Sequence, residues 1–254
     1  MGAGHSHALY VHEHSPVHRL APEAKIVAVF GIVASIAITP RQAVWAFGLY
    51  AIVVAGLATI SRLSPGFVAL RLLAIAPFVL FAFFIPFIAT GETTEIGGVS
   101  VSVEGLWGMW NVLAKATLGA SVSIVLTATT EVPDIIRGLS ALRIPALFIA
   151  IATFMVRYLE LIVDELGRMR MAMSSRGYDP RWISQARPIA SSAGALFVRS
   201  YERGERVHAA MLSRGFNGAM PALDHGRADA GEWAAAFVVT ACAALISAIA
   251  FLTL

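Results

Sequence analysis

The sequence predicts an all-α membrane protein with about five transmembrane helices and a cytoplasmic arm of amphipathic helices. Of its 254 residues, 57% are hydrophobic and only 14% are charged, whereas soluble domains carry about 25% charged residues. Several apolar runs are long enough to cross about 30 Å of hydrocarbon. A polar stretch from 157 to 229 is too charged for lipid, yet its apolar residues recur with helical spacing.

The first element is a polar N-terminal segment, residues 1–24, that is rich in histidine. Its histidines are His5, His7, His12, His14 and His18. Imidazoles at this density can bind cobalt, nickel or zinc. The alternative is a solvated segment whose histidines bind nothing specific, and we assign neither a metal site nor a cofactor to the chain.

Membrane helices come next, four of them within residues 25–130 and one within 231–254. The predicted spans are Lys25–Thr39, Ala43–Ile60, Val68–Ala89, Glu104–Thr129 and Glu232–Leu254. Pro77 and Pro86 lie inside the third span, where we expect them to kink the helix. Packed membrane helices tolerate such kinks.

The distribution of basic residues predicts which loops are cytoplasmic. With a cytoplasmic N-terminus, the loop 91–103, which has no Lys or Arg, lies outside, and only Arg41 is misplaced. The inside then holds Arg19, Lys25, Arg62, Arg71 and the region 131–230. This pattern predicts a multi-pass protein of the cytoplasmic (inner) membrane. The membrane topology therefore explains the net positive charge of the chain. Nucleic-acid binding is the weaker interpretation of that charge.

An apolar stretch at 145–156 is ambiguous, because about a dozen apolar residues are few for a crossing. If it crossed while the arm stayed inside, the earlier loops would invert and violate the positive-inside rule. We therefore predict that 145–163 lies inclined at the cytoplasmic interface. Residues 131–230 then form the region of cytoplasmic and interfacial helices.

A short repeat inside this arm is the most informative feature. Residues 172–178, Ala-Met-Ser-Ser-Arg-Gly-Tyr, return 38 residues later as Ala-Met-Leu-Ser-Arg-Gly-Phe at 210–216. In both copies an acid precedes a base by four residues, Asp164 before Arg168 and Glu202 before Arg206, which favours a helical ion pair. Ordinary capping explains an Arg-Gly helix end in either copy alone. The duplication instead favours binding to a partner with two equivalent sites.

Two polar residues of the fourth span, Asn111 and Lys115, form a second candidate site. An intramembrane charge usually faces a partner or a cavity. One interpretation is contact with another membrane subunit, and the other is a structural pairing.

Nucleotide-binding and hydrolytic motifs are absent from the sequence. It contains no G-x-x-x-x-G-K-[S/T], no H-E-x-x-H, no C-x-x-C and no nucleophile elbow. We predict that the chain is not an enzyme and that any ATP is hydrolysed on another polypeptide. A permease that binds its own substrate would need polar residues on several spans, and Lys115 is nearly alone. A membrane enzyme would need clustered acids and histidines, and His208, Asp224 and His225 are sparse.

Together these features resemble the T components of energy-coupling factor transporters, in particular the CbiQ-type subunit of cobalt uptake systems. The resemblance extends from about residue 15 to 218, and serine stands in both repeats where the family usually has alanine. It includes residues 15–25, Val132-Pro133-Asp134-Ile135-Ile136-Arg137-Gly138-Leu139, Ile144-Pro145, Arg157-Tyr158, and the two motifs Ser175-Arg176-Gly177 and Ser213-Arg214-Gly215.

The resemblance implies an importer of cobalt or nickel in which this chain transmits ATPase motion. In the family each Arg-Gly motif docks in a groove on one of two ABC-type ATPase subunits. Motion of the pair, which the coupling helices of the arm follow, then tilts a separate membrane subunit that binds the substrate. Asn111 and Lys115 would be candidates for contact with that subunit. Ser175, Arg176, Gly177, Ser213, Arg214 and Gly215 would be the docking residues here.

Overall fold

The computed structural model describes residues 10–11, 13, 15–90, 93–96, 99–178, 187–216, 218 and 228–253. The prediction of an α-helical membrane protein is confirmed. One addition is a short antiparallel pair, β1 (Thr93–Ile96) and β2 (Val99–Ser102), inside the predicted outer loop. The helices are α1 (Pro16–Arg19), α2 (Pro22–Ile38), α3 (Val44–Ile60), α4 (Pro65–Leu72), α5 (Ala76–Ala82), α6 (Ile85–Ile88), α7 (Val103–Thr129), α8 (Val132–Ala141), α9 (Ala146–Ser175), α10 (Arg187–Leu212) and α11 (Ala230–Leu252).

Within the described ranges, four helical stretches are long and apolar enough to cross a membrane. They are Pro65–Ile88, Val103–Thr129, Ala146–Ser175 and Ala230–Leu252. Three of them match the predicted third, fourth and fifth spans. The predicted first and second spans correspond to α2 and α3, which have 17 residues each and fall short of the usual crossing of about 20 residues.

The fourth long stretch differs from the prediction. We expected residues 145–163 to lie at the cytoplasmic interface, whereas they are part of α9, one helix of 30 residues that is long and apolar enough to cross a membrane. Its continuity has a simple cause, because no proline lies between Pro145 and Pro180. The interfacial position of residues 145–163 stays a prediction.

Proline interrupts the third span at both expected places. A 3₁₀ turn at Leu73–Ile75 precedes Pro77, and a turn between α5 and α6 precedes Pro86. Proline has no N–H, and its ring clashes with the carbonyl four residues earlier. The span is therefore a series of short helices.

The chain divides into two compact units. The membrane unit comprises Leu9–Gly138 and Gly226–Leu254, and the arm unit includes Leu139–His225. The core of the membrane unit lies among α2, α3, α7 and α11. There the Tyr50 hydroxyl donates to the Ala243 carbonyl at 3.0 Å. Arg41, the residue that the positive-inside rule misplaces, forms an ion pair with Glu104 at 2.8 Å.

Close packing of α2 on α11 at Gly31 yields a stability prediction. A Cβ at Gly31 would lie 2.4 Å from Thr240 Cγ2. Such overpacking lowers the free energy of unfolding by about 1–3 kcal/mol, so we expect Gly31→Ala to lower the melting temperature in detergent.

Two matched variants control this experiment. Gly48→Ala should leave the melting temperature near the wild-type value, because a Cβ there meets no atom within 4 Å. Adding Thr240→Ala to Gly31→Ala should recover part of the loss. A Gly31→Ala variant as stable as the wild type would contradict the close packing.

Candidate docking site

The first Arg-Gly motif forms the C-terminal cap of α9. The N–H of Gly177 donates to the Ser174 carbonyl at 3.0 Å, and the N–H of Tyr178 donates to the Met173 carbonyl at 3.1 Å. Gly177 has φ +78°. These two bonds define a Schellman motif, in which a left-handed residue follows the helix and the next residue bonds back to the last turn.

The second motif ends α10 in the same way, and its φ of +81° at Gly215 is almost identical. The matching bonds run at 3.0 Å from Gly215 to Leu212 and from Phe216 to Met211. Both copies of the repeat therefore form the same cap geometry, with the arginine at the same position before the glycine.

All six predicted docking residues are solvent-exposed, while the flanking Met and aromatic residues of each motif are half-buried. The Ser175 hydroxyl donates to the Met171 carbonyl and the Ser213 hydroxyl to the Ala210 carbonyl, both at 2.9 Å. Each serine hydroxyl is thus satisfied by a backbone carbonyl of the preceding helical turn. Among the described residues, the guanidinium groups of Arg176 and Arg214 have no ion pair or side-chain hydrogen bond, so both remain available to a partner.

Two contacts between α9 and α10 show that the helices run in opposite directions. Arg199 bonds Glu165 at 2.8 Å, and the Ser192 hydroxyl lies 3.4 Å from Met173 Sδ. Beyond the Glu165–Arg199 contact, α9 continues about 16 Å to Arg176, and α10 continues about 22 Å the opposite way to Arg214. The two tips thus lie on opposite sides of the helix crossing, roughly 30–40 Å apart.

Two other helices show that this cap does not require glycine. After α3 and after α8, the left-handed position is occupied by Arg62 (φ 56°) and Arg143 (φ 63°). The same pair of backbone bonds closes both caps. At the tips, moreover, a Cβ on Gly177 or Gly215 would meet no atom within 4 Å. Packing inside the chain therefore does not explain why both tips carry glycine.

One predicted ion pair of the repeat is wrong. Arg168 bonds Glu165 at 2.7 Å instead of Asp164. Glu165 also bonds Arg199 from α10, so its carboxylate binds two guanidinium groups. In the second copy the predicted partners, Glu202 and Arg206, are 3.9 Å apart.

The intramembrane candidates receive a mainly structural explanation. Lys115 Nζ donates to the Ala37 carbonyl at 2.7 Å, in the last turn of α2. A cation at a helix C-terminus is favourable because it binds carbonyls that lack helical partners. Asn111 Oδ1 is buried and has no hydrogen-bond partner among the described residues. Contact of either residue with another subunit stays a prediction.

A network at the start of α2 was not anticipated from the sequence. Lys25 Nζ donates to the carbonyls of His18 and Thr129 at 3.1 and 3.0 Å and to the Thr130 hydroxyl at 3.3 Å. The backbone N–H of Val11 donates to the Ala128 carbonyl at 3.0 Å. The N-terminal segment is thereby fastened to the end of α7.

His18 closes this network through its ring. Its Nε2 lies 3.2 Å from the Val11 carbonyl, which can only accept, and its Nδ1 lies 2.7 Å from the Ser15 hydroxyl. Burial lowers the pKa of His18 below its ordinary value, which favours the neutral ring that donates from Nε2. The other predicted tail histidines, His5, His7, His12 and His14, lie outside the described residues.

The chain is similar to known proteins over most of its length. The family model for CbiQ, cobalt transport protein, matches residues 13–223. The energy-coupling factor transporter transmembrane protein EcfT of Bacillus subtilis is 26% identical over 224 residues, which are 82% of this chain and 83% of its own. The cobalt transport protein CbiQ of Rhodobacter capsulatus is 26% identical over 170 residues, covering 64% of this chain and 68% of its own.

A third relative matches a shorter part of the chain. An uncharacterized protein of Methanocaldococcus jannaschii is 28% identical over 121 residues, and this chain spans only 41% of its length. The helical membrane fold and the matched relatives define a transmembrane component of the energy-coupling factor type. The chain belongs to the CbiQ family of cobalt transport proteins, as the motifs predicted.

Proposed function

We propose that this chain couples ATP hydrolysis on two ABC-type ATPase subunits to a separate membrane subunit that binds the substrate. The observation that carries the proposal is the pair of matched, exposed helix tips at Arg176 and Arg214. Two equivalent tips suit two equivalent ATPases. Their opposite positions on the crossed helices allow both to be engaged at once without overlap.

The chemistry of each tip suits docking in a groove. An exposed guanidinium forms charge-assisted hydrogen bonds with carboxylates or carbonyls on a partner. The adjacent glycine has no side chain, so a partner can approach the backbone closely. Glycine also suits the left-handed φ of both caps, and the open space around it leaves room for a partner.

The proposed cargo is a cobalt ion, with nickel as the alternative, and the chain acts in the inner membrane with both tips in the cytoplasm. Support for cobalt comes from the family and from the named Rhodobacter capsulatus relative. The permease alternative is weakened because Lys115 already bonds the Ala37 carbonyl. In this arrangement the partner ATPases hydrolyse the nucleotide and the third subunit selects the ion.

Co-purification from the native host tests the proposal. We expect a tagged chain, extracted in mild detergent, to carry an ABC-type ATPase pair and a further membrane protein. A chain that purifies without any ATPase, and that binds Co²⁺ tightly by itself, would contradict the coupling role and support a permease.

A further inference from the structure

The polypeptide passes between the membrane unit and the arm unit twice, and a described residue on the membrane side of each passage contacts the start of α2. The chain leaves the membrane unit after Gly138 and returns at Gly226. A Cβ at Gly138 would lie 2.9 Å from the backbone nitrogen of Glu23, so α8 packs directly on this turn. Close to the return point, the N–H of Ala228 donates to Glu23 Oε1 at 2.8 Å.

Glu23 is suited to bind the Ala228 N–H because its side chain lies in a buried and hydrogen-bonded part of the membrane unit. Glu23 is only 7% exposed. A second set of hydrogen bonds, made by Glu232 of α11, also joins the start of α2 to the start of α11. Glu232 accepts a bond from the N–H of Ala21 at 2.9 Å and another from the N–H of Asp229 at 2.9 Å. Each of these two parallel helices therefore supplies a carboxylate that accepts a hydrogen bond from a backbone N–H at the start of the other helix.

We propose that Glu23 is the positioning residue through which displacement of the arm reaches the membrane helices. This inference rests on the proposed coupling function. A displacement of α8 at Gly138 or of the backbone at Ala228 acts on the same buried turn. The helix α2 transmits it to α7 and α11, against which it packs. Glu23 contacts neither ATPase nor substrate in this scheme, so it affects transport without affecting docking.

Three substitutions of Glu23 distinguish loss of the hydrogen bond to Ala228 from a general loss of folding. Glu23→Ala removes the acceptor, and Glu23→Asp keeps the charge but withdraws the carboxylate from Ala228. Glu23→Gln keeps an oxygen that can accept the same bond. The assay uses the chain assembled with its ATPases and membrane partner in vesicles, with Co²⁺ uptake, ATP hydrolysis and ATPase association measured for each variant.

We expect Glu23→Ala and Glu23→Asp to retain associated ATPases and their ATP hydrolysis while Co²⁺ uptake falls about ten-fold. Glu23→Gln should transport nearly as the wild type. If Glu23→Ala does not fold, Glu23→Asp alone gives the same test. Wild-type uptake by Glu23→Asp, or a parallel loss of association and uptake, would overturn the inference. Failure of the proposed function would appear differently, as a wild-type chain without bound ATPase.

Discussion

The double variant Arg176→Ala/Arg214→Ala should abolish transport while the arm stays folded. Each guanidinium is exposed and unpaired among the described residues, so its removal costs the arm little. A hydrogen bond to a charged group contributes about 1.5–3 kcal/mol, so each single variant should weaken ATPase association by roughly ten-fold or more. The tips are far apart, so the two losses should add.

Arginines elsewhere on the same helices provide the matched control. Arg170 and Arg206 are also exposed, on α9 and α10, but they do not lie at a tip. Uptake of Co²⁺ by Arg170→Ala/Arg206→Ala vesicles should stay close to wild type, although the net charge changes equally. Normal uptake by the tip variant would refute the docking role.

Lys25→Met should lower the stability of the membrane unit. The substitution removes the donor of three hydrogen bonds and leaves two buried acceptors at Thr129 and Thr130 unsatisfied. Unsatisfied buried groups cost about 1–3 kcal/mol, which corresponds to a melting temperature lower by roughly 5 °C for a chain of this size. Thermal unfolding in detergent measures the change.

The same variant should also release the N-terminal segment, since Lys25 bonds the His18 carbonyl. Limited proteolysis should then cut between residues 10 and 20 faster than in the wild type. Arg19→Met is the control, because Arg19 is exposed and its loss should leave both measurements unchanged. Equal melting temperatures for Lys25→Met and the wild type would show that the network is dispensable.

Features encoded in local sequence could be predicted. Long apolar runs identified three spans, because hydrocarbon thickness fixes the length of a crossing. The repeat identified the tips, because an Arg-Gly pair after a helical pattern encodes a cap that uses only neighbouring residues. The interruptions at Pro77 and Pro86 likewise follow from the chemistry of one residue.

Features that depend on distant contacts could not be predicted. Asp164 and Glu165 are equally acidic in sequence, and the sequence does not show that Glu165 pairs both with Arg168 and with Arg199 of α10. The bond between Glu23 and Ala228 joins residues at opposite ends of the chain, where no spacing rule applies. The strands β1 and β2 could have been recognised, since β-branched residues flank Gly97-Gly98, a typical hairpin pattern.

Photo-crosslinking from the helix tips tests the coupling role most directly. A photo-reactive amino acid is placed at Ser174 or at Leu212, which are exposed and equivalent in the two caps and lie outside the docking motifs. Illumination of membranes from the native host should attach an ABC-type ATPase to the chain from both positions, and not from the exposed Ser123 of α7. If neither tip captures an ATPase, or if only one does, two matched docking sites do not exist and the account is wrong.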